Sequence, residues 1–383
     1  MVSIPSPHAP HVTGMAWSTP LGTELDKVWC QLLEGASGVG PTPSSYPLRT
    51  RLTATVPSLP LDEAPDQRQL ALAVRTLQAA FADAGLAPEN SAVTLVLGTS
   101  YGGHLDIPFT SSLEWWARSS AERVGHPHRP ITVTTACSAG ADSILLGAEL
   151  IRSGHSEICV CGGVDVVTSA KRLGHSALGT MSSHGLRAFD EDHDGMVLGE
   201  GAAFLVLESA ASAHARKARV WALLSGTGSS NDAAGMTAPD PSGESVVLAV
   251  SRCLAGSGFG AADVAVVSAH GSGTTVNDAV EATSLTTLFS GTDLGPVVFG
   301  TKGALGHSLG ATGAIEAITV IMALRDCTVP PIHGLRSPVP DLSLRLPIGR
   351  PLSFSGDAGI SLTLGFGGFN TCLLFTNTRV DHE

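Results

Sequence analysis

Two helical segments with few large side chains constrain the fold more than any other feature of the sequence. One follows Cys137 and runs to about Arg152, and the other follows His307 and runs to about Arg325. Both are crowded with Gly, Ala and Ser and are apolar on nearly every side, so neither has a face suited to water. Such helices pack backbone to backbone inside a protein. The sequence therefore predicts two buried central helices within a layered fold.

Short apolar runs alternate with amphipathic helical patterns along the rest of the chain. Helical periodicity is clear over Leu25–Leu33, before Gly35, and over residues 70–81, before Gly85. The apolar runs lack regular polar alternation, which is typical of strands covered on both faces. They are residues 93–97, 158–161, 203–207, 264–267, 297–299 and 360–364. This alternation predicts an α/β architecture.

A weak internal repeat indicates a duplicated core. Residues 77–98 and 250–271 each pass through a helix, a Gly, a short loop, a strand and a final Gly. We place the boundary after Lys217. Residues 1–217 then form an N-terminal half with Cys137, and residues 218–383 form a C-terminal half with His270 and His307.

Charge and composition exclude several classes of function. Charged residues make up 15% of the chain and hydrophobic residues 43%, which excludes a disordered chain or a long coiled coil. The net charge of −12 disfavours nucleic-acid binding, which requires a basic surface. The start of the sequence lacks the pattern of a secretion signal, no run reaches the roughly 18 apolar residues of a membrane span, and the seven cysteines are scattered. We therefore expect a cytoplasmic protein with reduced cysteines, no membrane contact and no nucleic-acid partner.

Cys137 lies between small residues on a predicted strand-to-helix turn, in the run Thr135-Ala-Cys-Ser138. A buried Cys is usually a packing residue. At a helix N-terminus, however, unpaired N–H groups and the helix dipole favour the thiolate. We therefore expect Cys137 to be a nucleophile that needs no strong base beside it.

Two histidines follow predicted buried strands in Gly-rich loops. His270 lies within residues 268–274, and His307 lies within residues 300–316 between Lys302 and Glu316. One such His is usually structural, but two of them together with Cys137 form a candidate catalytic constellation. The three residues meet only if the two halves of the chain face each other.

In this combination the residues resemble the β-ketoacyl-acyl carrier protein synthases of the elongating type, the ketosynthases of type II fatty-acid and polyketide systems in the thiolase-like superfamily. Simple thiolases usually carry a second catalytic Cys near the C-terminus, where this chain has Gly365-Phe-Gly-Gly368, so a ketosynthase is favoured. The matching segments run in order along nearly the whole chain. They are residues 12–14, 135–138, 162–163, 189–190, 194–201, 269–274, 277–278, 301–302, 306–307 and 365–368.

The resemblance implies a thiolase-like fold, which is a duplicated five-layered α-β-α-β-α arrangement, and a decarboxylative Claisen condensation. Cys137 would take an acyl chain from a carrier thioester, and a malonyl-type extender would lose CO₂ to give an enolate that attacks it. His270 and His307 would stabilise the enolate oxygen as neutral donors. The backbone N–H groups of Cys137 and Phe366 would form the oxyanion hole, and Phe366 would be the gate between the half-reactions.

Further roles carry over from the same resemblance. Ser272 and Thr274 match hydroxyls that hold a phosphopantetheine arm, Lys302 and Glu316 match a buried ion pair with an orienting role, and Asp278 would order its own loop. No bound cofactor or metal is expected, because the substrates are carried on the phosphopantetheine of an acyl carrier protein. The expected partners are that carrier and a second subunit, which is either an identical copy or a related ketosynthase-like chain.

Two other functions on this scaffold stay open. An acyltransferase or priming decarboxylase would use Cys137 without forming a carbon–carbon bond. A non-catalytic partner subunit of the chain-length-factor kind would resemble a ketosynthase but lack the nucleophile, so the presence of Cys137 counts against it.

Two departures from the family pattern favour polyketide or specialised lipid biosynthesis. Residues 102–129 form a shorter segment than in fatty-acid elongating synthases, where this region walls the acyl pocket. The helix around residues 66–69 carries only Arg68 where the family has several basic residues for an acidic carrier protein. The candidate substitutes for those basic residues are Arg118, Arg123, Arg129, Lys171 and Arg172.

Three other patterns are interpreted as structural. Residues 190–195 open like a calcium loop, but the twelfth position is Gly201 where a Glu is required. Cys159 and Cys161 alternate along a predicted strand, which favours core packing over a metal site. The remaining histidines of this region, expected to be solvated or at an entrance, are His175, His184 and His193.

Overall fold

The computed structural model describes residues 8–106, 112–292, 294–340 and 344–378; residues 107–111, inside the segment predicted to be short, lie outside it. The helices are α1 (Leu25–Leu33), α2 (Pro65–Ala84), α3 (Trp115–Val124), α4 (Ala139–Arg152), α5 (Ser169–Ala177), α6 (Ala210–Ala215), α7 (Glu244–Leu254), α8 (Thr275–Phe289), α9 (Lys302–Leu305) and α10 (Thr312–Asp326). The strands are β1 (Pro10–Ser18), β2 (Val39–Pro41), β3 (Leu52–Ala54), β4 (Val93–Gly98), β5 (Ile131–Val133), β6 (Ile158–Asp165), β7 (Leu198–Gly199), β8 (Gly201–Ser209), β9 (Ala222–Asn231), β10 (Val264–Ser268), β11 (Val297–Phe299), β12 (Thr328–Val329), β13 (Leu352–Ser353), β14 (Ala358–Gly365) and β15 (Phe369–Thr376).

The main sheet consists of two groups of five strands, in the order β11-β10-β14-β15-β9-β1-β8-β6-β4-β5. The groups join where His11 and Val12 of β1 pair with Leu223 and Ala222 of β9. Each group has the same pattern, because β4 and β10 each lie between two parallel neighbours and the remaining pairs are antiparallel. The predicted duplication of the fold is therefore visible in its topology.

Helices α4 and α10 lie between the two strand groups. Each contacts strands of both groups, while α2 packs on the outer side of β1 and β8, and α7 packs on β9 and β15. Every residue of α10 from Thr312 to Leu324 is buried. The layers therefore run helix, sheet, helix, sheet, helix, which confirms the predicted five-layered arrangement.

The two central helices approach each other backbone to backbone, as the small residues predict. A Cβ atom at Gly140 would lie 2.8 Å from the carbonyl oxygen of Gly310, and one at Gly313 would lie 2.7 Å from the Cβ of Ala141. The expectation of complete burial is wrong for one face of α4, because Leu145 and Leu146 remain partly exposed beside the edge of the sheet.

The predicted strands and amphipathic helices are present with shifted ends. Helix α2 starts earlier than predicted, because Pro65 occupies its first turn, where a missing N–H has no cost, and it ends at Gly85 with a φ of 64°. Cys159 and Cys161 are fully buried in β6, which confirms their interpretation as core residues. No helix among the described residues combines the length and apolar character needed to cross a bilayer.

We expect Gly313→Ala to destabilise the protein by about 1–3 kcal/mol, because the added methyl group has no room between α10 and α4. Urea-induced unfolding measures this change. The matched control is Gly174→Ala on α5, where a Cβ meets nothing within 4 Å and the higher helix propensity of Ala should stabilise the protein by about 0.5–1 kcal/mol. Equal effects of the two substitutions would contradict the close helix contact.

Candidate active site

Cys137 lies on a strained turn between β5 and α4. Ala136 has a φ of 51°, which is unfavourable for a residue with a Cβ atom. The carboxylate of Asp142 holds the turn, because it accepts hydrogen bonds from the hydroxyls of Thr135 at 2.5 Å and Ser138 at 2.7 Å. The turn therefore places Cys137 just before the start of α4, the first of the two central helices.

Burial has a large effect on the ionisation of Cys137. The thiol is only 5% exposed, and its desolvation raises the pKa to about 11 even though the backbone N–H of Phe366 and the charge of Lys302 lower it. Burial therefore opposes the thiolate that the position before a helix favours. At neutral pH Cys137 is a thiol.

His270 and His307 lie next to each other, with ring centroids 5.1 Å apart and planes at 84°. His307 is fixed by its backbone, which donates to the carbonyl of Val197 at 2.7 Å and accepts from the N–H of Gly199 at 2.8 Å. The Nδ1 atom of His270 is buried and has no hydrogen-bond partner among the described residues. An unpaired polar atom in such a place is suited to a ligand.

Both imidazoles are neutral. Burial, followed by the nearby charge of Lys302, holds the pKa values of His270 and His307 well below the usual 6.5. The ammonium of Lys302 donates to the backbone carbonyl of His270 and to Glu316, and burial raises the pKa of Glu316 to about 7. The predicted ion pair is therefore present and touches the loop that carries His270.

Glu281 is a site residue that the sequence analysis missed. Its two carboxyl oxygens accept from the backbone N–H groups of His270 and Gly271, each at 2.6 Å, and from the side chain of Asn277 at 2.8 Å. Burial raises the pKa of Glu281 to about 8. The one available signal was its position four residues after Asn277 on the helix that follows the His270 loop.

Asp278 holds the same loop from its other side. Its carboxyl oxygens accept from the backbone N–H of Phe189 at 2.7 Å and of Gly273 at 3.1 Å. Gly273 has a φ of 74°, which favours glycine at this turn. Asp278 therefore contacts the loop that it was predicted to order.

An open cleft of about 780 Å³ brings most of these predicted residues together. Cys137, His270 and His307 line it, and so do Ser272 and Thr274, whose hydroxyls are 2.9 Å apart. Thr180, Asn277 and Phe366 line the same cleft. Lys302, Glu316 and Asp278 do not line the cleft and lie behind the residues that do.

The basic residues considered for carrier docking divide into buried and exposed groups. Arg68 is 2% exposed and pairs with Glu200 at 2.5 Å, so it cannot serve as the surface residue suggested by the sequence. Lys171 is buried against Asp165, and Arg172 donates to backbone carbonyls. Arg118, Arg123 and Arg129 are exposed on and after α3.

The other sequence patterns are mostly structural. Asp190 accepts from the backbone N–H groups of Arg336 at 2.6 Å and Ser337 at 2.9 Å, so the acidic run joins two loops. Among the described residues, no group of three or more acidic, His or Cys side chains is placed to hold a metal ion. His184 is exposed as predicted, whereas His175 and His193 are partly buried, and His175 packs on Phe366.

We expect alkylation of resting Cys137 to accelerate about tenfold for each unit of pH between about 7 and 10, because the thiolate is the reactive form and its fraction grows up to a pKa of about 11. Peptide mass spectrometry after brief iodoacetamide treatment measures the rate at this residue. A rate that levels off near pH 8 would contradict the burial argument.

We expect Glu281→Gln to destabilise the protein by about 1–3 kcal/mol, because an amide offers only one acceptor oxygen and leaves a buried backbone N–H unpaired. Chemical denaturation at pH 9, above the pKa of about 8 of Glu281, measures the loss. Glu244→Gln, in an exposed first turn of α7, is the matched control and should change stability little. Comparable losses in the two variants would contradict the role of Glu281.

Comparisons with known proteins agree with this geometry. The sequence matches the family descriptions "Beta-ketoacyl synthase, N-terminal domain" over residues 11–213 and "Beta-ketoacyl synthase, C-terminal domain" over residues 221–336. It is 28% identical to the "3-oxoacyl-[acyl-carrier-protein] synthase 2" of Mycobacterium leprae over 95% of each chain.

Solved structures give the same result. The structure titled "The ishigamide ketosynthase/chain length factor" has a TM-score of 0.87 and 29% identity, covering 96% of this chain and 99% of that one. A beta-ketoacyl synthase from Burkholderia phymatum has a TM-score of 0.88 and 27% identity, covering 97% and 100%. The chain therefore belongs to the β-ketoacyl synthase family and is a ketosynthase, an acyltransferase.

Proposed function

We propose that this ketosynthase catalyses decarboxylative Claisen condensation between an acyl chain on Cys137 and a malonyl-type extender on an acyl carrier protein. The observation that carries the proposal is the convergence of Cys137, His270 and His307 in one cleft that is also lined by Ser272 and Thr274. The two hydroxyls would hold the phosphopantetheine arm, which would present each thioester to the thiol.

In the first half-reaction, the sulfur of Cys137 attacks the carbonyl carbon of the acyl-carrier thioester. The carrier's carbon–sulfur bond breaks, and the proton of Cys137 ends on the released phosphopantetheine thiol. The backbone N–H groups of Cys137 and Phe366 would stabilise the oxyanion of this transfer. In support, the backbone N–H of Phe366 lies close enough to the Cys137 sulfur to lower its pKa.

In the second half-reaction, the malonyl group loses its carboxylate as CO₂, and the electron pair of the broken bond forms an enolate. The enolate carbon then attacks the Cys137 thioester, whose carbon–sulfur bond breaks to regenerate the thiol after protonation. His270 and His307 would donate hydrogen bonds to the enolate oxygen. Their low pKa values support a donor role, since neutral imidazoles stabilise developing negative charge without trapping it as a protonated product.

The buried residues behind the cleft would position these groups. Lys302, paired with Glu316, would keep both imidazoles neutral and hold the carbonyl of His270, and Asp278 would hold the loop. Phe366 would act as the gate between the two half-reactions. None of these residues needs to touch the reacting carbon atoms.

We further propose that the enzyme is a cytoplasmic dimer, either with an identical copy or with a related ketosynthase-like chain, and that its two halves divide at residue 217. Strand β5 is at an edge of the sheet with Ile131 39% exposed, and Leu145 and Leu146 beside it are partly exposed, so this apolar edge suits a second subunit.

The proposed cytoplasmic location is supported by the cysteines. Buried free thiols such as Cys159 and Cys253 suit a reducing compartment.

A role in polyketide or specialised lipid biosynthesis is the proposed pathway. Its support is the 29% identity to the ishigamide ketosynthase/chain length factor and the burial of Arg68, which leaves the start of α2, residues 66–69, without the basic surface that an acidic carrier protein would contact.

Intact-protein mass spectrometry tests the proposed reaction. Incubation with acyl-carrier thioesters of graded chain length should add one acyl mass to the wild type and none to Cys137→Ala. Addition of malonyl-carrier should then remove that mass and yield a β-ketoacyl product. The control is Cys30→Ala, an exposed thiol, which should behave as the wild type.

Two outcomes would contradict the proposal. No acyl adduct at any chain length would remove Cys137 as the nucleophile and favour a partner subunit. An adduct that forms without any β-keto product would indicate acyl transfer alone.

A further inference from the structure

Asn277 lies in the first turn of α8 and lines the catalytic cleft. It comes three residues after Thr274, so the two side chains lie on the same side of the start of the helix. Ser272 and Thr274, whose hydroxyls are proposed to hold the phosphopantetheine arm, line the same cleft. An arm held by these hydroxyls therefore lies beside Asn277.

The hydrogen bonds behind the cleft fix the orientation of the Asn277 amide. One end of the amide is 3.2 Å from a carboxyl oxygen of Asp278 and 2.8 Å from one of Glu281. The same two oxygens accept from the backbone N–H groups of Gly273 and Gly271. The atom of Asn277 that faces these acceptors must then be the donor nitrogen, Nδ2.

The carbonyl oxygen of Asn277 is consequently an acceptor that is not in use. Among the described residues, no donor is hydrogen-bonded to Oδ1. The side chain is 6% exposed, and Oδ1 keeps an accessible surface, in contrast to enclosed unpaired atoms such as Nδ1 of His270. Because Asn277 lines the cleft, that surface is available to a molecule bound there.

A phosphopantetheine arm brings the matching groups. It contains two secondary amides, each with one N–H donor and one carbonyl acceptor. The hydroxyls of Ser272 and Thr274 are hydrogen-bonded to each other at 2.9 Å, so one of their protons is used within the pair and the other can reach a carbonyl. An amide N–H left unpaired in a largely buried site costs free energy. Asn277 Oδ1 can only accept, and it is already held in place, so little conformational entropy is lost on binding.

We propose that Asn277 is a further binding residue for the phosphopantetheine arm, whose Oδ1 atom accepts a hydrogen bond from an amide N–H of the arm. The site then recognises both polar groups of an amide, the carbonyl through the hydroxyls and the N–H through Asn277. This inference rests on the proposed function, because it requires the arm to occupy this cleft.

The test uses an acyl carrier protein loaded with acylated arms in which the N–H of one amide, at either position, is replaced by an ester oxygen. This exchange removes the donor and keeps the length and the carbonyl of the arm. At one of the two positions, the wild type should acylate Cys137 about fivefold more slowly than with the natural arm, as the loss of one neutral hydrogen bond allows. In Asn277→Ala the ratio of the two rates should fall to about one.

Two further variants complete the series. Asn277→Ser, whose hydroxyl can still donate to a neighbouring carboxylate but is too short to replace Oδ1, should also give a ratio of about one. Val276→Ala is the matched control, because Val276 lines the same cleft but offers no side-chain acceptor, and it should keep the wild-type ratio. Thermal melting verifies that each variant is folded. A general disturbance of the His270 loop would slow the natural and ester arms alike and leave the ratio unchanged.

The outcomes separate this inference from the proposed function. Equal acylation from the natural arm and both ester arms in the wild type would overturn the inference alone. A ratio that survives in Asn277→Ala or Asn277→Ser would also overturn it, since another group would then accept from the arm. Absence of acylation with every arm, the natural one included, would overturn the proposed function and this inference with it.

Discussion

The close contact between α4 and α10 is the constraint on which the site depends. Cys137 immediately precedes α4, and His307 lies a few residues before α10, so these residues meet only if the starts of the two helices touch. The two helix starts are in contact at Gly140 and Gly310, where no side chain separates the two backbones. Larger residues there would push the two helix starts apart, and Cys137 and His307 with them.

A second constraint is the removal of charge from the reacting groups. The protein places a thiol with a pKa of about 11 and two neutral imidazoles in the same buried region. Among the described residues, Lys302 is the cation whose charge lowers the pKa of all three groups. Because Lys302 is itself fixed by Glu316 and by the His270 carbonyl, its charge lies behind the reacting atoms. A site built this way offers hydrogen-bond donors in a dry environment, where such donors act most strongly on a developing oxyanion.

The elements of the fold could be predicted because their signals are local. The small-residue composition of α4 and α10 allows little except burial, and continuous apolar runs such as the one in β6 predict covered strands. The Gly-rich segments around His270 and His307 also predict loops at these positions. Residues whose role depends on a distant partner gave no such signal.

Glu281, Arg68 and His175 illustrate this limit. A carboxylate on a helix is normally exposed, and the spacing of Glu281 from Asn277 does not by itself show that Glu281 accepts from the His270 backbone. Arg68 is a basic residue of the kind that could contact an acidic carrier protein. It is instead buried in an ion pair with Glu200, which comes from another part of the fold. His175 was expected to be solvated or at an entrance, whereas it is partly buried and packs against Phe366 from the far end of the chain.

The most direct test of the account is the release of CO₂ from malonyl-carrier by the wild type, His270→Ala and His307→Ala, with acylation of Cys137 measured separately by mass. If the neutral imidazoles stabilise the enolate, each variant should still acquire an acyl group on Cys137 but should release CO₂ at least ~100-fold more slowly. Variants that lose acylation while keeping the normal rate of CO₂ release would contradict the division of labour between Cys137 and the two histidines.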